Sequence, residues 1–217
     1  MMGSQFMNRR LHSLLGVIPV GFFLLEHLYT NFQVTKGSDA FVEQVEWLWG
    51  LPLLPVLEIL FIFLPLLYHA VYGTYIAFQA QHNVNRFGTF RNYMFLLQRI
   101  TGVLTFVYII YHVWSTRIAI MFVDAASDTA KAQELANITA QHLSSPIVLT
   151  IYIIGLIGAV FHFSNGMWSF LVSWGVTVGP RAQLVSSYVW GVAFLVISYI
   201  GVRALWAFHH LPVTAMQ

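Results

Sequence analysis

Polar residues are rare along most of this chain and arrive in short clusters. Between the clusters run five apolar stretches, approximately residues 11–32, 51–78, 94–123, 146–175 and 185–208. Each is long enough to cross a hydrocarbon core, which takes about 20 helical residues. A segment in lipid must satisfy its own backbone hydrogen bonds, and apolar runs this long do so as helices. The pattern predicts an all-α integral membrane protein: a single transmembrane domain over residues 1–217 with five transmembrane helices. The first stretch follows Arg9 and Arg10 as a signal peptide would, but it is too long and has no small-residue cleavage site before the first polar loop, so it reads as a retained helix.

The connections carry an orientation signal. The N-terminal segment (Arg9, Arg10), the second connection and its flank (Arg86, Arg91, Arg99) and the fourth connection (Arg181) hold six basic residues and no acidic ones. The first connection (Lys36, Asp39, Glu43, Glu46), the third (Arg117, Asp124, Asp128, Lys131, Glu134) and the tail (Arg203) hold four basic and six acidic residues. Lys and Arg accumulate on the cytoplasmic side, which predicts N-in, C-out. The third connection is Ala-rich and polar and predicts a short surface helix capped by Ser127 or Asp128, with Pro146 opening the next span. Trp47, Trp49, Trp174 and Trp206 fall near span ends, where an amphipathic ring prefers the interface.

Composition narrows the chemistry. Of 217 residues 58% are hydrophobic and only 8% charged, with a mean hydropathy of +0.71. There is no cysteine, which excludes an iron–sulfur cluster, a disulfide and covalent haem attachment within the chain. Its basic residues flank spans in place of forming a patch, so the net charge of +2 points to no nucleic acid. No internal repeat is evident.

Nine histidines are present, and His27, His69, His112 and His162 lie well inside the first four spans, one in each. A lone intramembrane histidine can serve as a polar contact between helices, but an ionisable residue in a span is a functional hypothesis by default. Depth discriminates. The first and third helices run outward and their histidines come late, roughly 22–25 Å from the inner end at about 1.5 Å per residue. The second and fourth run inward and theirs lie roughly 16–20 Å from the inner end. His27 therefore pairs in depth with His112 nearer the outside, and His69 with His162 nearer the inside. His82, His142, His209 and His210 fall in connections or the tail, where solvent exposure is expected.

Helical phase adds small residues to the same faces, because eleven residues make three turns with about 20° of residual rotation. Gly16 precedes His27, and Thr101 precedes His112, by eleven. Gly73 and Gly166 follow His69 and His162 by four. Small residues also let membrane helices approach one another. Together they predict two flat ligands stacked across a four-helix bundle. Two neutral imidazoles facing each other suit the axial positions of a haem iron, and six-coordinate iron leaves electron transfer as its function. A metal or proton transporter would gather His with Asp or Glu at one depth, so a haem-free transporter is the less favoured class.

Several stretches resemble the diheme cytochrome b membrane anchors of succinate:menaquinone oxidoreductase (succinate dehydrogenase) of Gram-positive bacteria, the cytochrome b-558 family. They are RRLHSLLGVIPVG (9–21), EIL and IFLPLLYHAVYG around 58–73, FRNYMFLLQRITG (90–102), HVWSTRI (112–118) and VFHFSNGMWSFLVSWGVTVGPR (160–181). The likeness covers nearly the whole chain and is weakest in the third connection. It implies two haem b groups, one held by His27 and His112 near the outer face and one by His69 and His162 near the inner face. It also implies a flavoprotein with FAD and an iron–sulfur subunit as cytoplasmic partners, menaquinone as electron acceptor, and a multi-pass protein of the bacterial cytoplasmic membrane. The quinone-reactive diheme subunit of a fumarate reductase, hydrogenase or formate dehydrogenase would satisfy the same histidine pattern.

Quinone reduction near the outer face needs a proton donor. Glu58 lies eleven residues before His69, on the same helical face and at the depth of the outer pair, and is the candidate; Glu26 points about 100° away from His27 and is weaker. Haem propionates need cationic or hydrogen-bonding partners. Arg9, His12, Ser13, Gln98 and Arg99 at the inner end, and Arg117 at the outer end, form that candidate set.

Overall fold

The computed structural model describes residues 2–81 and 83–213, with side chains from Gln5 onward; His82 lies outside the described residues. Among the described residues there are helices and no strands. The first span is two helices, α1 (Met2–Val17) and α2 (Pro19–Phe32), continued by a tight turn over Gln33–Lys36. Pro19 divides them: it has no N–H to give the preceding turn, while Ile18 and Phe22 keep the ladder going through bonds to Leu14 and Ile18. A surface helix α3 (Ser38–Trp49) follows. The second span is α4 (Leu54–Glu58), a widened turn over Ile59–Phe63 and α5 (Leu64–Gln79). The third is α6 (Phe90–Val113), a second widened turn over Trp114–Ile118 and the short α7 (Ala119–Met121). Surface helix α8 (Asp128–Leu143) precedes the fourth and fifth spans, α9 (Pro146–Ser173) and α10 (Pro180–His209).

Five helical stretches are long and apolar enough to cross a membrane: Gln5–Lys36, Leu54–Gln79, Phe90–Met121, Pro146–Ser173 and Pro180–His209. They coincide with the five predicted spans to within a few residues, apart from additional turns at both ends of the first and at the starts of the third and fifth. Pro146 and Pro180 each occupy the first turn of a span, where a missing N–H costs nothing.

The two widened turns have local causes. In the second span Leu64 N–H reaches back five residues to Ile59, immediately before Pro65, whose ring would crowd the carbonyl one regular turn earlier. In the third, the Ser115 and Thr116 hydroxyls donate to the Tyr111 and His112 carbonyls at 2.9 and 2.6 Å, competing with the ladder. Such turns cluster at functional sites; the first follows directly on Glu58 and the second contains Arg117.

The best-packed region is the end holding the first and third connections. The predicted helix in the third connection forms, and Ser127 is its cap, accepting from Ala130 N–H at 3.1 Å. A second surface helix, α3, was not predicted from the sequence, and it packs on α8 through Phe41, Val42, Val45, Ala132 and Ala136. Phe208 and Ala204 of α10 and Tyr152 of α9 complete this core. Trp49 departs from the interfacial expectation because it turns into this cap, whereas Trp47 and Trp206 stay 63% and 52% exposed. His142 and His209 also depart from the expected exposure. His142 packs against the rings of Tyr111 and Tyr152, and burial lowers its pKa from the ordinary imidazole value. His209 donates through Nδ1 to the Leu143 carbonyl at 2.7 Å. His210 is exposed as expected.

Candidate haem-binding cavity

One continuous cavity of about 1250 Å³ runs through the middle of the first four spans. It exceeds the roughly 300–1,000 Å³ of a pocket for one drug-sized ligand. Residues of α10 reach it only through Gly201, Ala204, Leu205 and Phe208. The four intramembrane histidines all line it, and the structure brings them together in the pairs that depth predicted. His27 faces His112 with ring centroids 5.5 Å apart and planes at 79°. His69 faces His162 at 6.0 Å and 80°.

These separations bear directly on a shared metal. Two imidazoles bound to one ion from opposite sides, with metal–nitrogen bonds of about 2.0 Å, put their ring centroids roughly 6 Å apart. Among the described residues no group of three or more His, Cys, Asp or Glu side chains could form a polydentate ion site. A donor set of two neutral nitrogens per centre, in a long apolar cavity, fits a haem iron whose remaining four ligands come from the macrocycle.

The protonation of the inner pair follows from its hydrogen bonds. His69 Nδ1 lies 2.9 Å from the His12 carbonyl and His162 Nδ1 lies 3.0 Å from the Gln98 carbonyl. A carbonyl oxygen only accepts, so His69 carries its proton on Nδ1 and keeps on Nε2 the lone pair a metal needs; His162 Nδ1 has the Gln98 amide nitrogen at 3.2 Å as well as the carbonyl, and with a metal on Nε2 it would donate to the carbonyl. The outer pair is built differently. His112 Nδ1 is buried without a partner among the described residues, and Asn31 donates at 2.7 Å to the His27 carbonyl with its amide 3.4 Å from His27 Nε2. Tyr108 stacks on His112, and Tyr152 packs edge-on against it while bonding Ser115 Oγ at 2.7 Å.

The small residues sort themselves by what they would collide with. A side chain at Gly16 would overlap the His69 ring, so this glycine, expected to leave room for a flat ligand at the inner level, makes room for the inner histidine itself. Thr101 is a correction. Its hydroxyl bonds its own helix at Leu97, and the residue of α6 that faces His162 is Gly102, where a Cβ would lie 2.9 Å from the ring. Phase was counted from His112, but α6 presents to the inner pair a face one residue, or about 100°, further round. Gly73 and Gly166 do line the cavity, yet their immediate neighbours are side chains: His12 lies 2.8 Å from a Cβ at Gly73, and the Gln98 amide 3.3 Å from one at Gly166.

The candidate propionate partners also divide. Arg9, Ser13 and Arg99 line the cavity, and Ser13 accepts from Trp174 Nε1 at 3.3 Å. His12 also lines the cavity, stacked on His69 at 4.1 Å with planes 8° apart and with its Nδ1 buried without a partner among the described residues. Gln98 donates to the His162 carbonyl and accepts from the Asn165 side-chain amide. Arg117 pairs with Glu58 at 2.7 Å, so the outer cation is matched to the outer carboxylate. Glu26, set aside on phase, lines the same cavity and accepts from Thr30 at 2.6 Å. Sequence reasoning missed Asn31, Gly102 and Asn165. Only the spacing of Asn31 from His27 and of Asn165 from His162, one turn each, could have signalled them.

The fold and the site define a multi-pass helical membrane protein with paired histidines at two levels of one internal cavity. The family model described as succinate dehydrogenase/fumarate reductase transmembrane subunit matches residues 80–202. Over 204 residues the chain is 48% identical to the protein named succinate dehydrogenase cytochrome b558 subunit of Bacillus subtilis (strain 168), covering 94% of this chain and 97% of that protein. The chain belongs to the succinate dehydrogenase/fumarate reductase transmembrane subunit family.

Proposed function

We propose that this chain is the diheme cytochrome b anchor of a succinate dehydrogenase, carrying electrons from an iron–sulfur subunit across the membrane to menaquinone. The observation that carries the reading is the presence of two facing histidine pairs, 5.5 and 6.0 Å between centroids, in one cavity. Haem bound there would supply one-electron transfer. His69 and His162 would hold the inner group, with the His12 and Gln98 carbonyls fixing which nitrogen is free to bind. His27 and His112 would hold the outer one. Arg9, Ser13 and Arg99 remain to meet carboxylates at one end of the cavity.

The basic connections support an N-in, C-out arrangement, with the iron–sulfur and flavoprotein subunits on the inner face. A chain without cysteine must take its electrons from such a partner. At the other end, reduction of menaquinone to menaquinol takes up two electrons and two protons. Glu58 and Arg117 line the cavity there, with the Glu58 side chain 18% exposed. Arg117 orients the carboxylate, and Glu58 passes protons to the quinone oxygens.

Haem b per chain, measured by pyridine haemochrome on purified protein and on His→Ala variants at the four positions, tests the reading. Two haems are expected in the parent, with losses sorting His27 with His112 and His69 with His162. Folded protein that takes up no haem, when haem is available during synthesis, would overturn it.

A further inference from the structure

The sequence FHFSNG (161–166) places Asn165 and Gly166 one turn beyond His162, on the same helical face. The structure gives both a use. The Gln98 side-chain amide donates to the His162 carbonyl at 3.0 Å, while the Gln98 main-chain carbonyl accepts from His162 Nδ1 at 3.0 Å. The two residues therefore clasp each other reciprocally between α6 and α9. Asn165 closes the clasp: its Nδ2 donates to Gln98 Oε1 at 2.6 Å and to the Met94 carbonyl at 3.1 Å. Gly166 leaves room for the Gln98 amide, and Gly102 leaves room for the ring.

We propose that Gln98 and Asn165 are positioning residues for His162, a side-chain bracket that fixes the rotation of its ring and the strength of its Nδ1 hydrogen bond. The inference rests on the haem-binding reading above and adds to it the residues that tune one centre and leave the other alone. Both act through His162. The hydrogen bond at Nδ1 raises the basicity of the ligating nitrogen, and an orienting partner of this kind matters to a metal centre nearly as much as the ligand. In the outer pair the amide of Asn31 stands beside His27, but His112 Nδ1 has no partner among the described residues, and neither Gln98 nor Asn165 bonds a residue of that pair. The two centres are therefore separately adjustable.

The test compares Gln98→Met, which keeps side-chain length and removes both polar atoms, with Asn165→Leu and the double variant, all in the intact complex. Low-temperature electron paramagnetic resonance and redox titration report each low-spin centre, and the inner one is identified as the signal lost in His162→Ala. The expected result is a shift of the inner g-value and midpoint potential in each single variant, with the outer signal unmoved. The double variant should shift no further than Gln98→Met, because Asn165 works through Gln98. Loss of the inner haem with the outer retained also supports the bracket. Two haems with an unmoved inner signal would overturn it and leave the electron-transfer reading standing. Equal shifts in both signals, or loss of both haems in both single variants, would assign these residues to general packing and overturn it too. A parent complex without haem would overturn the bracket and the reading beneath it together.

Discussion

His69 and His162 face each other across the cavity with their ring planes 80° apart, and His27 and His112 repeat the relationship at 79°. Each ring is held by its own helix and, in the inner pair, by a main-chain carbonyl of a neighbouring helix. The near-perpendicular arrangement is thus a property of the protein scaffold. Ring planes at right angles leave the iron d orbitals that interact with imidazole nearly degenerate, whereas parallel planes split them. Both ferric centres are expected to give strongly anisotropic low-spin resonance signals with a large maximal g-value. Signals of the rhombic kind typical of parallel imidazoles at both centres would contradict this geometry.

Gly16 and Gly102 admit the two inner rings from opposite sides. A methyl group at either position would overlap a histidine ring and push it off the direction in which it would hold a haem, so Gly16→Ala and Gly102→Ala should each lower haem content from two per chain toward one. Gly191 has nothing within 4 Å of its would-be Cβ, and Gly191→Ala should leave the content at two. Pyridine haemochrome on the three purified variants checks this, and full haem content in Gly16→Ala would refute the close approach.

Glu58 and Arg117 sit at 2.7 Å beside the two widened turns. Removing a general acid typically costs about 10²-fold or more in rate. Glu58→Gln should therefore slow succinate-to-menaquinone electron flow by about 10²-fold while haem content and reduction of an artificial acceptor at the flavoprotein remain. If quinone reduction is unchanged in Glu58→Gln with both haems present, Glu58 is not the proton donor, and Glu26, in the same cavity, becomes the next to test.

Much of this architecture was legible in the sequence because a bilayer imposes a strong rule: about 20 apolar residues, helical, with charges outside. The four histidines and their pairing followed from helix direction and rise alone. What stayed hidden depended on how helices face one another. Gly102 displaced Thr101 because phase along one helix does not fix which face meets a neighbour at another depth. Gln98 and Arg117 looked free for propionates because the side chains that engage them, Asn165 and Glu58, lie 67 and 59 residues away. Helix α3 escaped notice because its apolar face, Phe41, Val42 and Val45, is short and only finds a partner once α8 is folded over it.

That cap carries a stability prediction of its own. Phe208 is 1% exposed and packs edge-on against Phe41, tying α10 to α3. Truncating a buried phenylalanine costs about 3–5 kcal/mol. Phe208→Ala should lower the thermal unfolding midpoint in detergent, whereas Phe78→Ala, at a position 79% exposed, should change it little. An equal response from both variants would mean that the cap adds nothing to the fold.

The two histidine pairs occupy two levels of the membrane, and that separation has an energetic use. Menaquinone is a weak oxidant, so its reduction by succinate runs uphill under standard conditions. An electron moved outward, toward the positive side, releases about 2.3 kcal/mol for each 100 mV of membrane potential. If, as proposed, the quinone site lies beside Glu58 and Arg117 and the electron source at the basic inner face, each electron would cross much of that field. In sealed membranes, collapsing the potential with an ionophore should slow succinate-to-menaquinone transfer several-fold. The same ionophore should leave succinate oxidation by an acceptor at the flavoprotein untouched, and should have no effect on detergent-solubilised complex. A rate that ignores the potential in sealed membranes would move the quinone site to the inner face and remove the reason for two haems in series.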